Sequence, residues 1–207
     1  MKKLGLLICL SLGFVANGFA KGDPEAGKAK SMVCAACHGN DGNSLISLNP
    51  KIAGQHENYL FKQLAEFKLA SETAGKEGRN NAVMNGIAAA LSEQDMHDLA
   101  AYYASQDTKL GETPEDVVEV GQALYRGGDE ERGITACIAC HSPDGKGMAQ
   151  AGFPKLSGQH ADYTASQLKL FREGKRANDH NGMMRDIAMK LSDEDIDILS
   201  KYVAGLH

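Results

Sequence analysis

The sequence predicts an all-α fold built twice. Three observations carry that reading. Blocks of the first half return in order in the second half, apolar residues fall at helical spacing without an alternating strand pattern, and the same helix-start signal opens the last helix of both halves. The repeat is explicit. NPKIAGQHENYLFKQLAEFK (49–68) returns as FPKLSGQHADYTASQLKLFR (153–172), and NAVMNGIAAALSEQDMHDLAAYYAS (81–105) returns as NGMMRDIAMKLSDEDIDILSKYVAG (181–205). CAACH (34–38) returns as CIACH (137–141). A period of about a hundred residues is too long for a solenoid and is the size of a small domain.

The chain opens on Lys2 and Lys3, an apolar run LGLLICLSLGFVA, and the small residues Gly18 and Ala20. This pattern reads as an export signal over residues 1–20, cleaved after Ala20, because the run is short for a membrane span of ~20 residues. Cleavage removes Cys9 and both lysines. Four cysteines remain, all in the two CxxCH motifs, and the formal charge moves from −5 to −7. An acidic chain offers no basic surface, so nucleic acid is excluded as a partner. Export places the cysteines in an oxidising compartment, where unprotected CxxC pairs form disulfides.

The first repeat is expected over 21–108 and the second over 109–207. A first helix is expected from about Pro24 into the Cys motif, and from about Glu115 to Tyr125 in the second copy. Leu60, Leu64 and Phe67 mark one face of a helix from about 57 to 71, matched by Leu168 and Phe171. Ser92 with Asp95 and Ser192 with Asp195 form variant capping boxes, with Leu91/Met96 and Leu191/Ile196 as staples. Met96, Leu99 and Tyr103, and Ile196, Leu199 and Tyr202, then supply buried stripes. SQDTKLGETPEDVVEV (105–120) is polar, contains Gly111 and Pro114, and reads as a linker. GGDEERGITA (127–136) is extra in the second copy and reads as a surface loop.

Units this small have thin cores. Aromatic residues are 6% of the chain and Trp is absent, so a bound group is expected to fill each core. CxxCH allows a disulfide, zinc or covalent haem. Cys34/Cys37 and Cys137/Cys140 have the spacing that bonds two haem vinyl groups, and the adjacent His38 and His141 then face iron. Zinc needs further soft ligands that the mature chain lacks, unless all four cysteines share one ion, and that leaves both histidines unexplained. Thiol redox chemistry expects a βαβ context. Two covalently bound haem c groups are the reading taken, with zinc and thiol chemistry as the alternatives.

The sixth iron ligand separates a carrier from an enzyme, because iron with both axial positions filled has no site for substrate. Met84 and Met184 align, each seven residues before the LS that opens the last helix. Met183 aligns with Val83, and Met32, Met96, Met148 and Met189 have no counterpart. The rival is a bis-histidine site using His56 or His160, which also align but stand soon after the first histidine and open a helix. His97, His180 and His207 have no counterpart. Pro50 and Pro154 align as well; a proline carbonyl there accepts the histidine Nδ1–H, or simply shapes a turn. Tyr59/Tyr163 and Gln63/Gln167 recur, either against haem edges and propionates or as packing.

With CAACHGNDGNS, NPKIAGQHENYLFKQL, ALYRGGD, GITACIACHSPDGKG, GFPKLSGQH and the two Met-to-LS blocks, the sequence resembles the cytochrome c4 family, periplasmic dihaem cytochromes of Gram-negative bacteria. The resemblance spans nearly the whole mature chain. It implies two tandem class I cytochrome c domains related by a pseudo-twofold axis, with haem propionates facing the seam. It implies His38/Met84 and His141/Met184 ligation in a monomeric electron carrier. It also implies electron flow from a quinol-oxidising (bc1-type) complex to a terminal oxidase, often cbb3-type, sometimes with loose membrane association. Two other readings use the same fold: the haem subunit of a flavocytochrome that oxidises sulfide, and a dihaem peroxidase-like enzyme with one open iron.

Overall fold

The computed structural model describes residues 22–207, so the expected export signal over residues 1–20 lies outside the described residues. Each half is helical, and among the described residues there are only isolated β-bridges and no strands. The first half holds α1 (Pro24–Lys30), α2 (Met32–His38), α3 (Glu57–Glu72), α4 (Ala82–Ala89) and α5 (Glu93–Ala104). The second repeats the plan with α6 (Glu115–Gly127), α7 (Ile138–His141), α8 (Ala161–Arg172), α9 (Met183–Ala188) and α10 (Asp193–Ala204). In each half the first helix and the long middle helix pack on the last one: α1 and α3 on α5, α6 and α8 on α10.

Local chemistry explains the elements. Asp23 caps α1 by accepting from the Glu25 and Ala26 N–H groups, with Pro24 in the first turn. The single expected first helix is broken at Ser31, whose hydroxyl turns back to the Lys28 carbonyl at 2.8 Å and so competes with the helix ladder. Both capping boxes form: the Ser92 and Ser192 hydroxyls accept from the Asp95 and Asp195 N–H groups, and each aspartate returns a bond to its serine N–H. The stripes they start are buried, with Leu99 and Ile196 at 1% and 0% exposure. α6 begins at Glu115, as expected, and so takes up the end of the stretch read as a linker; its first turn is exposed before Val117 turns inward.

The extra loop of the second copy departs from a plain surface loop. It is exposed along most of its length, but Ile134 is buried in the core beside Leu124 and Leu191. Arg132 grips Asp195 at 2.7 Å and Asp129 at 2.6 Å, tying the loop to the start of α10. The histidines that open α3 and α8, His56 and His160, stand at the N-cap positions without a side-chain capping bond.

Two glycines set how closely the first and last helices approach. A Cβ on Gly27 would collide with the Asp98 carbonyl of α5, and one on Gly121 would lie 2.7 Å from the Tyr202 Cβ of α10. Gly27→Ala and Gly121→Ala therefore each destabilise the fold by about 1–3 kcal/mol, the usual cost of overpacking. Urea unfolding checks this, and Gly27→Ala should cost more because a backbone atom yields less than a side chain.

Asp98 anchors the same contact. Its carboxylate accepts from the Asp23 N–H at 3.0 Å, Lys30 Nζ at 2.8 Å and Gln94 Nε2 at 2.8 Å. Those bonds, led by the Asp23 backbone N–H, hold its pKa down at about 2. A lowered carboxyl pKa stabilises the fold above the unfolded value near 4 and stops doing so as pH falls through the folded value. Asp98→Ala should cost about 1–3 kcal/mol at neutral pH. The gap from wild type should hold down to about pH 4 and close towards pH 2 in unfolding curves.

Candidate haem sites

The two CxxCH motifs lie on α2 and α7 in matching places. Cys34, Cys137 and Cys140 are half-buried, Cys37 is exposed, and none forms a disulfide. Burial pushes the Cys137 thiol up to about 11 and raises Cys34. The following histidines are buried, at 8% and 6% exposure. Their Nδ1 atoms lie 2.9 Å from the carbonyls of Pro50 and Pro154. A carbonyl only accepts, so Nδ1 carries the proton and Nε2 keeps its lone pair. Burial, opposed by the proline carbonyls, pushes both imidazoles below the ordinary histidine value, so each is a neutral base at neutral pH. Neither Nε2 makes a hydrogen bond to any described residue.

The turn behind each histidine is built to deliver that proline. Gly42 and Gly145 adopt φ of 77° and 70°, where a Cβ would meet Tyr103 and Leu206 side chains at 2.8 and 2.9 Å. Their carbonyls accept from residues 52 and 53, and from 156 and 157, pinning the segment after each proline under the motif. Ser44 Oγ holds the Cys37 carbonyl at 2.8 Å, and Tyr125 OH holds the Ser142 carbonyl at 2.7 Å.

Met84 and Met184 are both half-buried, on α4 and α9, the short helices packed against α3 and α8. Asn81 fixes the start of α4 by accepting from the Met84 N–H at 3.0 Å. The other histidines go elsewhere. His160 Nε2 donates to the Ser44 carbonyl at 2.8 Å across the seam, and the buried His56 Nε2 has no partner among the described residues. His97 stacks on Phe61 with ring centroids 3.9 Å apart, and His180 and His207 are exposed.

Between the halves lies a cluster that the sequence reading only half found. Tyr59, Gln63, Tyr163 and Gln167 meet there, joined by Arg79 and Arg176, which it missed. Arg79 reaches Gln63 at 2.9 Å in its own half, and Tyr163 and Gln167 at 2.9 and 2.7 Å in the other. Arg176 mirrors it, reaching Gln167 at 2.9 Å, then Tyr59 and Gln63 at 2.9 and 3.2 Å. The guanidinium groups also cover the Phe67 and Phe171 rings. The available signal was an arginine shortly before each aligned methionine.

The family model for cytochrome c matches residues 24–107 and again 118–207. Cytochrome c4 of Stutzerimonas stutzeri is 48% identical over the full length of both chains, and that of Azotobacter vinelandii is 47% identical, also over the full length of both. The crystal structure of reduced recombinant cytochrome c4 from Pseudomonas stutzeri superposes with a TM-score of 0.87 at 49% identity, covering 90% of this chain and 100% of that one. The chain belongs to the cytochrome c4 family. It is two cytochrome c domains in tandem, it binds two haem c groups covalently, and it is a dihaem electron carrier.

The chain's own chemistry fits that cofactor. Arg79 and Arg176 are buried, at 9% and 7% exposure, and neither pairs with a carboxylate among the described residues. Burying an uncompensated cation costs several kcal/mol. Burial would raise the Tyr59 phenol, yet Arg176 and Arg79 hold its pKa below the ordinary value, which marks a strongly positive seam. Haem carries two carboxylates, the kind of charge this seam lacks. Among the described residues no cluster of His, Cys, Asp and Glu is placed to hold a bare ion.

Proposed function

We propose that the protein is a periplasmic relay taking electrons from a quinol-oxidising (bc1-type) complex and delivering them to a terminal oxidase. Residues 21–108 and 109–207 form its two haem domains. Hydrogen bonds support a division close to that boundary, just after Lys109: Thr108 and Lys109 bond back to Ala53 and Asn43, whereas Gly111 and Thr113 bond forward to Ala204 and Tyr202. When bound, haem supplies a one-electron iron couple. Cys34 and Cys37 tether one group, and Cys137 and Cys140 the other. His38 and His141 would bind the iron through Nε2 and Met84 and Met184 through their thioethers, while Pro50 and Pro154 fix the ring tautomers.

The observation that carries this reading is the buried neutral histidine beside each cysteine pair, with Nδ1–H committed and Nε2 free, present twice. With the chain supplying both iron ligands, no position would remain for substrate, and the chemistry would be electron transfer. A thioether favours ferrous iron and raises the potential. Among the described residues no helix is long and apolar enough to cross a membrane. Arg79 and Arg176, buried at the seam, would be the groups to neutralise haem carboxylates there.

Ferric wild type should show the weak far-red band of methionine ligation, and the ferrous protein should not bind carbon monoxide. Met84→Ala and Met184→Ala should each lose half of that band and gain one carbon monoxide site per chain. Carbon monoxide binding by wild type would instead favour an enzyme, and an unchanged spectrum in either variant would remove that ligand.

The arginines raise the cost of the extra positive charge on ferric iron. Arg79→Met and Arg176→Met should therefore lower the haem midpoint potentials in potentiometric titration, and Arg79→Lys should recover most of the loss. Unchanged potentials would mean that the guanidinium groups only join the halves.

A further inference from the structure

The repeated GQH gives each half a glutamine that reaches into the other. Gln159 Oε1 accepts from the Lys51 N–H at 2.8 Å, and its Nε2 donates to the Lys51 carbonyl at 2.8 Å. Gln55 Oε1 accepts from the Lys155 N–H at 3.0 Å, and its Nε2 donates to the Lys155 carbonyl at 2.9 Å. Each Oε1 also takes the N–H of the next residue, His160 or His56, at 3.0 Å, which fixes which end of the amide faces which way.

Lys51 and Lys155 follow the two prolines. The peptide unit joining Pro50 to Lys51 is therefore engaged at both ends. Its carbonyl accepts from His38 Nδ1, and its N–H donates to Gln159 of the other half. The Pro154–Lys155 unit repeats this with His141 and Gln55. Two amides that merely glued the halves together need not land on the peptides that hold the axial imidazoles. Here both do, and each serves the opposite half.

Donation from a peptide N–H shifts charge onto its carbonyl oxygen and strengthens that oxygen as an acceptor, by ~10–30% per bond. A stronger acceptor draws on the Nδ1 proton and makes Nε2 a better donor. We propose that Gln159 is a positioning residue that sets the donor strength of His38, and Gln55 that of His141, so each half tunes the iron of the other. This rests on the axial-ligand reading above. Richer donation favours ferric iron, so the glutamine bonds lower each potential.

The test uses the holoprotein and Gln159→Leu, which keeps bulk and loses both bonds, with Gln55→Leu as its mirror. Midpoint potentials are followed for each haem through the axial-methionine methyl resonances, assigned by their loss in Met84→Ala and Met184→Ala. Gln159→Leu should raise the N-terminal haem potential and leave the C-terminal one in place, and Gln55→Leu should do the reverse. The His38 Nδ1 proton should move upfield in Gln159→Leu alone. Gln159→Glu keeps an acceptor for the Lys51 N–H and should lower the N-terminal potential more than the C-terminal one. Equal shifts at both haems, shifts confined to the mutated half, or no shift in either leucine variant would overturn the inference. In that outcome the wild-type methionine resonances remain and the ligand reading stands; their absence from wild type would overturn the ligand reading itself.

Discussion

Everything in this molecule is arranged around one hydrogen bond made twice: a buried imidazole N–H given to a proline carbonyl at 2.9 Å. Alone, a buried histidine is ambiguous in tautomer and charge. The proline settles both, since its carbonyl only accepts and burial disfavours the cation. The glycine turns, the Ser44 and Tyr125 clamps and the packing of α5 and α10 all keep that proline where the ring needs it. The cysteines beside the ring then offer a tether within the same turn of helix.

Much of this was legible from sequence because it is local. CxxCH places three functional groups within five residues. Ser92/Asp95 and Ser192/Asp195 announce helix starts within one turn, and the stripes that follow obey helical period. The repeat doubled the weight of each signal, and Met84 with Met184 stood out only because both copies could be compared. The misses have the same logic reversed. Ser31 breaks the first helix through a hydroxyl–carbonyl bond that no periodicity records. Ile134 sits in a polar, glycine-rich stretch yet is buried, because Arg132 and Asp195 draw that loop onto α10.

The seam was the least legible region. Arg79 and Tyr163 are far apart in sequence and adjacent in space, as are Arg176 and Tyr59. Nothing about an arginine in GRN or KRAN distinguishes it from a solvated charge until its surroundings are known. The same holds for the glutamine of GQH, which reads as a polar residue ahead of a helix. Its role depends on a backbone amide in the other domain. Residues that act between domains carry no local period, so a single sequence shows at most that they recur.

The reciprocal glutamines obey the rule of an isologous interface, in which residue i of one copy meets j of the other and j of the first meets i of the second. A two-fold dimer of identical single-haem chains would make both pairs from one gene. Tandem fusion through a short linker keeps those contacts while holding the partners at high effective concentration, so the association no longer depends on dilution. It also ends the identity of the copies. The second half carries its own extra loop around Arg132, while each glutamine makes its bonds to the backbone of the neighbouring half. The two halves are thus free to diverge on their outer faces and bound to drift together where they meet.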